Sequence, residues 1–360
     1  MKAAVINENR VPDFKIKDDL PIPEISDHEI LIKSKAFAVN PTDWKHVDFK
    51  FGQKGDILGS DVSGIVEKVG AKVDNFKVGD YVSSFIVGNV SPKNGAWAEY
   101  VAANPLGTVK YPKLVLDPSK TSSGPITTFE GAASVTLGLV TVGYSFAYSL
   151  KIPENFVEGD FILVWGGATA TGILAVQLAK LIYGLRVVTT ASPKNHEYLK
   201  SLGAEYVFDY NDDKVIDKIK EVVGGSLKFG LDTIGSAETF QQTYDATANT
   251  TEGTIFLDST LFQDGSNIKL DESRDNYKIH WGHTLAYLAI AKTKFFGEML
   301  HQPEDLLKDY VPWWTEVLPK YIDKVKHANL KVLPDGLQSA GEALKLSKEG
   351  VSNEKVVFDT

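Results

Sequence analysis

The stretch FILVWGGATATGILAVQLAK, Phe161 to Lys180, constrains the fold more than any other. Its five apolar residues, Phe161 to Trp165, read as a strand buried on both faces. Gly166 and Gly167 break that strand. Ala168, Thr169, Ala170 and Thr171 then lead through a tight turn to Gly172. Behind the turn, Ile173, Leu174, Val176, Leu178, Leu181 and Ile182 recur at helical spacing. Small residues let backbone N–H groups approach a pyrophosphate, and a helix N-terminus adds partial positive charge. The spacing departs from G-x-G-x-x-G. Taken alone, the turn reads either as a dinucleotide cradle or as an ordinary strand-to-helix turn.

The residues that follow alternate. Leu185 to Ala191 reads as a second strand. Pro193 to Leu202 reads as a helix, with proline in its first turn and Gly203 closing it. Tyr206 to Tyr210, Phe229 to Ile234 and Thr254 to Leu257 read as strands. Asp212 to Val223 and Ser236 to Ala248 read as the helices between them. Strands alternating with helices predict an α/β fold built on a doubly wound parallel sheet. The first hundred residues differ. KAAVINE, EILIKSKAFAV, SGIVEKVG and DYVSSFIVG are short strand candidates punctuated by Pro, Gly and Asp, which predicts a compact β domain. Residues 103 to 125 read as a polar loop. Helices are expected over Phe129 to Leu150, Pro303 to Lys326 and Gly336 to Lys348. Lys355 to Phe358 reads as a strand returning to the first domain. A chain of 360 residues accommodates two domains. The expected division is 1–125 with 300–360, and 126–299.

A net charge of −9 disfavours a nucleic-acid partner. No apolar run nears the ~20 residues of a membrane span, so no transmembrane helix and no membrane partner is expected. The N-terminus MKAAVINENR lacks the apolar core of a signal peptide, which predicts a cytoplasmic protein. The chain has no cysteine. That excludes disulfides, thiolate zinc sites, iron–sulfur ligation and a thiol nucleophile. His280 and His283 are close in sequence but have no third ligand at metal-binding spacing. No metal is expected.

Gly59-Ser60-Asp61-Val62-Ser63-Gly64, Gly79-Asp80, Gly95-Ala96-Trp97-Ala98-Glu99-Tyr100 and the turn Gly166 to Gly172 occur in that order. Together they resemble the medium-chain dehydrogenase/reductase superfamily, in its zinc-free quinone oxidoreductase and enoyl reductase branch. Asn40-Pro41-Thr42-Asp43-Trp44-Lys45, Ser192-Pro193-Lys194-Asn195-His196 and Phe208-Asp209-Tyr210 resemble the fungal enoyl-reductase-like group within it. The resemblance spans essentially the whole chain. It implies a GroES-like β-barrel domain plus a Rossmann domain. Zinc alcohol dehydrogenases place Cys near the Asn40 position and His-Glu near Ser60-Asp61. This chain offers neither thiolate nor imidazole there.

The end of the second strand bears on cofactor choice. NAD sites place an acid there for the ribose 2′-hydroxyl. This chain has Ser192, Lys194 and Asn195, a hydroxyl, a cation and an amide suited to a 2′-phosphate. The expectation is NADP(H), with NAD(H) left open. The resemblance implies cofactor contacts at Asn40, Thr42, Asp43, Trp44 and Lys45. It extends them to the turn residues Gly166, Gly167, Ala168, Thr169, Ala170 and Thr171, to Tyr210, and to the stretch Ser352-Asn353-Glu354-Lys355, Ser352 and Asn353 above all. Lys45 reads either as a catalytic contact or as a solvent-facing lysine. Lys45, Tyr144 or water would donate the proton. Phe129, Ser134 and Leu137 read either as a substrate-lining segment or as helix packing. The expected activity is NADPH-dependent hydride transfer to an enone or enal, a quinone or an aldehyde. The rivals are a non-catalytic, crystallin-like NADPH-binding protein and a trans-acting enoyl reductase of a polyketide pathway. The expected partner is a small carbonyl or enone substrate, and a homodimer is one expected assembly.

Overall fold

The computed structural model describes residues 1–153, 159–291, 293–295 and 298–360. They form two compact units. The first comprises Met1–Val140, Ile290–Gln302 and Lys326–Thr360, the second Thr141–Ala289 and Pro303–Val325.

The first unit begins with β1 (Ala3–Ile6) and β2 (Phe14–Lys17), an antiparallel pair. β3 (Ile30–Ala38) buries nearly all of its apolar residues. Asn40-Pro41 stops it and starts α1 (Pro41–Asp48), since a residue before proline prefers extended backbone and proline suits a first helical turn. β4 (Asp61–Val69), β5 (Tyr81–Phe85), β6 (Tyr100–Ala103) and β7 (Thr108–Tyr111) complete this part of the sheet. β3 pairs with both β4 and β6, and β5 links β4 to β7. β7 lies inside the stretch expected to be loop. Its four residues are too few to show a period, and pairing with β5 makes the strand. β8 (Gly124–Pro125), α2 (Phe129–Ala133) and α3 (Thr136–Tyr144) follow.

The helical stretch Phe129–Ser149 is 21 residues long and holds a window of mean hydropathy 1.2, long and apolar enough to cross a membrane by length and composition alone. Its most apolar window is 83 % buried in the protein, as in a core helix. The units part inside α3, at Val140, rather than at the expected 125. α2 packs on β3 and β4, which keeps the segment after 125 with the first unit.

The second unit carries β9 (Phe161–Trp165), α4 (Ala170–Tyr183), β10 (Arg186–Thr190), α5 (His196–Ser201) and β11 (Ala204–Phe208). It continues with α6 (Val215–Val223), β12 (Leu227–Asp232), α7 (Ala237–Ala246), β13 (Ile255–Ser259) and β14 (Ile279–Trp281). The six strands are all parallel, in the order β11-β10-β9-β12-β13-β14. This is the doubly wound sheet expected from the alternation, with β9 central and fully buried. β14 was not expected, because three residues carry no readable period. Gly184 ends α4 with φ 67°, a left-handed cap that favours glycine.

After α8 (Tyr287–Ile290), β15 (Thr293–Phe295) and β16 (Glu298–Leu300) pair antiparallel. α9 (Leu306–Pro312) and the turn after it belong to the second unit, not the first as expected. The buried Trp313 explains this. Its indole N–H donates to the Tyr183 hydroxyl at 3.0 Å, and its ring fills the space a side chain at Gly143 would need. β17 (Lys326–His327) returns to β8. β18 (Asn329–Leu333), α10 (Ala340–Glu349) and β19 (Glu354–Asp359) finish the chain. β19 lies antiparallel to β3, so the closing strand returns to the first unit as expected.

Candidate active site

In the second unit, β9 ends at Trp165 and Gly166 turns the backbone with φ 81°. The Gly166 N–H donates to Thr190 Oγ1 at 3.0 Å and the Gly167 N–H to the Thr190 carbonyl at 2.9 Å. Thr169 caps α4 by accepting from the Gly172 N–H at 2.9 Å, and its hydroxyl donates to Thr233 at 2.9 Å. The turn is therefore braced from β10 and from the end of β12. Ala168, Thr169, Ala170 and Thr171 remain half-buried. The N–H groups of Ala170 and Thr171 open the first turn of α4 and are not drawn into any of these bonds. A 14-residue helix stands behind them. This arrangement fits a pyrophosphate.

At the carboxyl end of β10 the chain runs Ala191, Ser192, Pro193, Lys194, Asn195, with no carboxylate. Lys194 is exposed. Asn195 is buried and donates to Ser192 Oγ at 3.3 Å. Tyr210 follows β11 and is 47 % exposed. Ile234 and Leu261, after β12 and β13, are also exposed apolar residues. The sequence reading passed over these two. Their signal was an apolar residue directly after a strand-ending Asp-Thr or Ser-Thr. Exposed apolar side chains at the carboxyl ends of parallel strands mark the ligand-binding edge of such a sheet.

In the first unit, the entry to α1 is tied into a buried polar cluster. Asp43 accepts from the Asn40 backbone N–H (2.7 Å), Ser60 Oγ (2.6 Å) and Asn89 Nδ2 (2.9 Å). Asp61 accepts from Asn40 Nδ2 and from the Leu137 N–H, each at 2.8 Å. The Lys355 ammonium, arriving on β19, donates to Asn40 Oδ1. Burial pushes the Asp61 carboxyl up to about 7, against the pull of Lys355 and Asn40. Burial also raises Asp43 and lowers Lys355, while the opposite charges oppose both shifts. A second, uncharged chain of hydroxyls lies nearby, Thr136 donating to Ser83 and Ser83 paired with Tyr111.

Several expectations change here. Asp43 is fully buried and its carboxylate is occupied within the unit, so it holds α1 rather than facing a ligand. Asn40 is buried with both ends of its amide engaged. Thr42, Trp44 and Lys45 are half-buried. Lys45 Nζ lies 5.7 Å from the centre of the Trp44 ring, and burial lowers its ammonium from the ordinary 10.5. Phe129 and Ser134 are buried in packing, Phe129 against Tyr81 and Ser134 donating to the Gly131 carbonyl, so neither lines an accessible surface. Leu137 is half-buried. Ser352 is exposed and Asn353 takes φ 55°. Tyr144 is buried, and its phenol is raised far above its ordinary value by burial.

Two family models match the chain. Residues 26–113 match the alcohol dehydrogenase GroES-like domain, and residues 170–273 match the zinc-binding dehydrogenase domain. An uncharacterized protein of Saccharomyces cerevisiae is 34 % identical, over 99 % of this chain and 97 % of that one. The trans-enoyl reductase TOXD of Cochliobolus carbonum is 36 % identical, over 80 % of this chain and 91 % of its own. The chain belongs to the zinc-free medium-chain dehydrogenase/reductase family, in its enoyl-reductase-like part. Two solved structures share the medium-chain reductase fold over the full length. They are a quinone oxidoreductase of Coxiella burnetii (TM-score 0.68, 24 % identity, 99 % of that chain) and a mycobacterial protein complexed with NADPH (TM-score 0.68, 23 % identity, 100 % of that chain). As a medium-chain reductase, the protein is an NAD(P)H-dependent oxidoreductase.

The zinc in the matched domain's description does not suit this medium-chain reductase. Among the described residues no three His, Cys, Asp or Glu side chains converge. Around Asn40 and Asp61 a lysine ammonium already occupies the interior, and a second cation beside it would be repelled.

Proposed function

We propose that this protein delivers a hydride from NADPH to the electrophilic carbon of an enone or enal, a quinone or an aldehyde, without a metal. The observation that carries the reading is the braced turn Gly166–Gly172, with the Ala170 and Thr171 N–H groups available and no carboxylate at the end of β10. The nicotinamide, when bound, supplies the hydride, and the protein's part is to bind, orient and exclude water. The turn holds the pyrophosphate. Ser192 and Lys194 receive the 2′-phosphate. On α1, Lys45 offers a cation to the oxygen that gains negative charge as the hydride arrives. The likeness to a trans-enoyl reductase favours an α,β-unsaturated carbonyl among the substrates, including an enoyl group carried by a polyketide synthase. The test is NADPH oxidation at 340 nm with a panel of enals, quinones, aldehydes and enoyl thioesters. Tight NADPH binding without oxidation of any of them would make the protein a non-catalytic binder.

Two substitutions probe these roles. Lys194→Glu places a negative charge where the 2′-phosphate is received. The Kd for NADPH is expected to rise about tenfold, with that for NADH changing less than threefold, by fluorescence titration. Equal effects on both would remove Lys194 from cofactor choice. Lys45→Met is expected to lower kcat at least tenfold while leaving NADPH affinity within threefold. Burial lowers the Lys45 ammonium, so its charge is present at low pH and lost as pH rises, at a value below 10.5. Wild-type kcat should therefore fall on the alkaline side, and that limb should be absent in Lys45→Met.

A further inference from the structure

The closing strand brings a charge into a place where an apolar side chain would be the simpler choice. Lys355 stands in the run Lys355-Val356-Val357-Phe358, all buried. Its ammonium meets the Asn40 side-chain oxygen, and the other end of that amide donates to Asp61 at 2.8 Å. The Asn40 backbone N–H, in turn, donates to Asp43 inside α1 at 2.7 Å. One asparagine thus joins three buried charged groups from three elements, β19, β4 and α1. Burying one ammonium and two carboxylates is costly, and a well-packed apolar set of similar volume is often at least as stable. What the charged set adds is direction. An amide gripped at its oxygen by a cation and at its nitrogen by an anion has one orientation, whereas an amide among neutral groups can flip.

We propose that Lys355 is a positioning residue for the reductase reaction: through Asn40 it fixes the entry of α1 and so the placement of Thr42 and Lys45. This inference rests on the reading of α1 as part of the reducing site. Its tests include one that needs no turnover.

The first test is amide hydrogen exchange. In Lys355→Met, exchange across Pro41–Asp48 should speed up at least tenfold, while β9 in the other unit should be unchanged. Unaltered exchange in α1 would overturn the proposal, whatever the activity. The second test is a double-mutant cycle in kcat, with NADPH and trans-2-hexenal as the probe pair. Lys355→Met and Asn40→Ala should each cost about tenfold. The double variant should cost about the same tenfold, because both remove one linkage. An additive, hundredfold loss would mean that Lys355 does not act through Asn40. If Lys355→Met does not fold, Lys355→Met/Asp61→Asn removes one charge of each sign. Compared with Asp61→Asn alone, it should show the faster α1 exchange, and equality would overturn the proposal. If the wild type oxidises no NADPH with any substrate, the functional reading fails, and the exchange experiment still decides the linkage.

Discussion

Gly172→Ala is expected to weaken NADPH binding at least hundredfold. A Cβ built at Gly172 would stand 2.3 Å from the Gly166 carbonyl oxygen and 2.9 Å from the Gly167 Cα. Both are backbone atoms, so no flexible side chain can swing aside. The turn must open, and it cannot open freely. Gly166 is held to Thr190, and Gly167 lies so close to Thr189 that its own Cβ would come within 2.0 Å of Thr189 Oγ1. Thr189 is itself buried and donates to the Val164 carbonyl at 2.6 Å. Strain at Gly172 therefore moves the first turn of α4, and with it the N–H groups of Ala170 and Thr171. A hundredfold loss corresponds to about 2.7 kcal/mol, the scale of one or two charge-assisted hydrogen bonds to a phosphate. Fluorescence titration with NADPH measures it. Gly225→Ala, where the nearest atom to a new Cβ is at 3.3 Å, serves as the control and should leave the Kd within threefold. An unchanged Kd in Gly172→Ala would place the pyrophosphate elsewhere.

That turn could be read from the sequence because everything that builds it is local. The strand, the glycines and the helix lie within twenty consecutive positions, and the alternation from β9 to β13 repeats the same local grammar. The cluster around Asn40 was not legible in the same way. Its members sit at 40, 43, 60, 61, 89 and 355, and only the sheet, with β3 pairing both β4 and β19, brings them together. A trace existed. Asp61 begins, and Lys355 interrupts, runs otherwise suited to buried strands, and a charge in such a run calls for a partner. The resemblance places Asp43 together with Lys45 among the cofactor contacts. On a helix, though, consecutive residues face different ways, and Asp43 turns inward while Lys45 stays half-buried. Phe129 and Ser134 show the reverse difficulty. A small apolar helix looks the same in sequence whether it lines a cleft or packs under a sheet, and here it packs on β3 and β4. Pro303 to Val325 misled for a similar reason. Nothing local says which unit a helix will join, and the choice rests on where Trp313 finds Tyr183.

The first unit should lose at least about 4 kcal/mol of stability in Asp43→Ala, the largest cost expected of any single substitution in the cluster. Three donors lose their acceptor at once: the Asn40 backbone N–H, the Ser60 hydroxyl and the Asn89 amide. All three residues are buried, at 4 %, 0 % and 0 % exposure, so water cannot replace the carboxylate without opening the unit. Each unsatisfied buried donor costs roughly 1–3 kcal/mol, and the Asn40 N–H among them is the one that the Asp43 carboxylate caps at the start of α1. The loss would extend further, because Asn89 uses its other amide end to hold the Gly59 N–H at 2.7 Å, and Gly59 stands at φ 90° against the Trp97 ring. Asp43→Asn separates the contributions. It keeps the volume and one acceptor but turns a donor toward donors, so it should cost roughly half as much. Thermal unfolding followed by tryptophan fluorescence measures both, since Trp44 lies on α1 beside the cluster and Trp97 packs on Gly59. A cost below about 1 kcal/mol for Asp43→Ala would mean that water enters the cluster freely. The buried carboxylate would then not be what holds α1 in place.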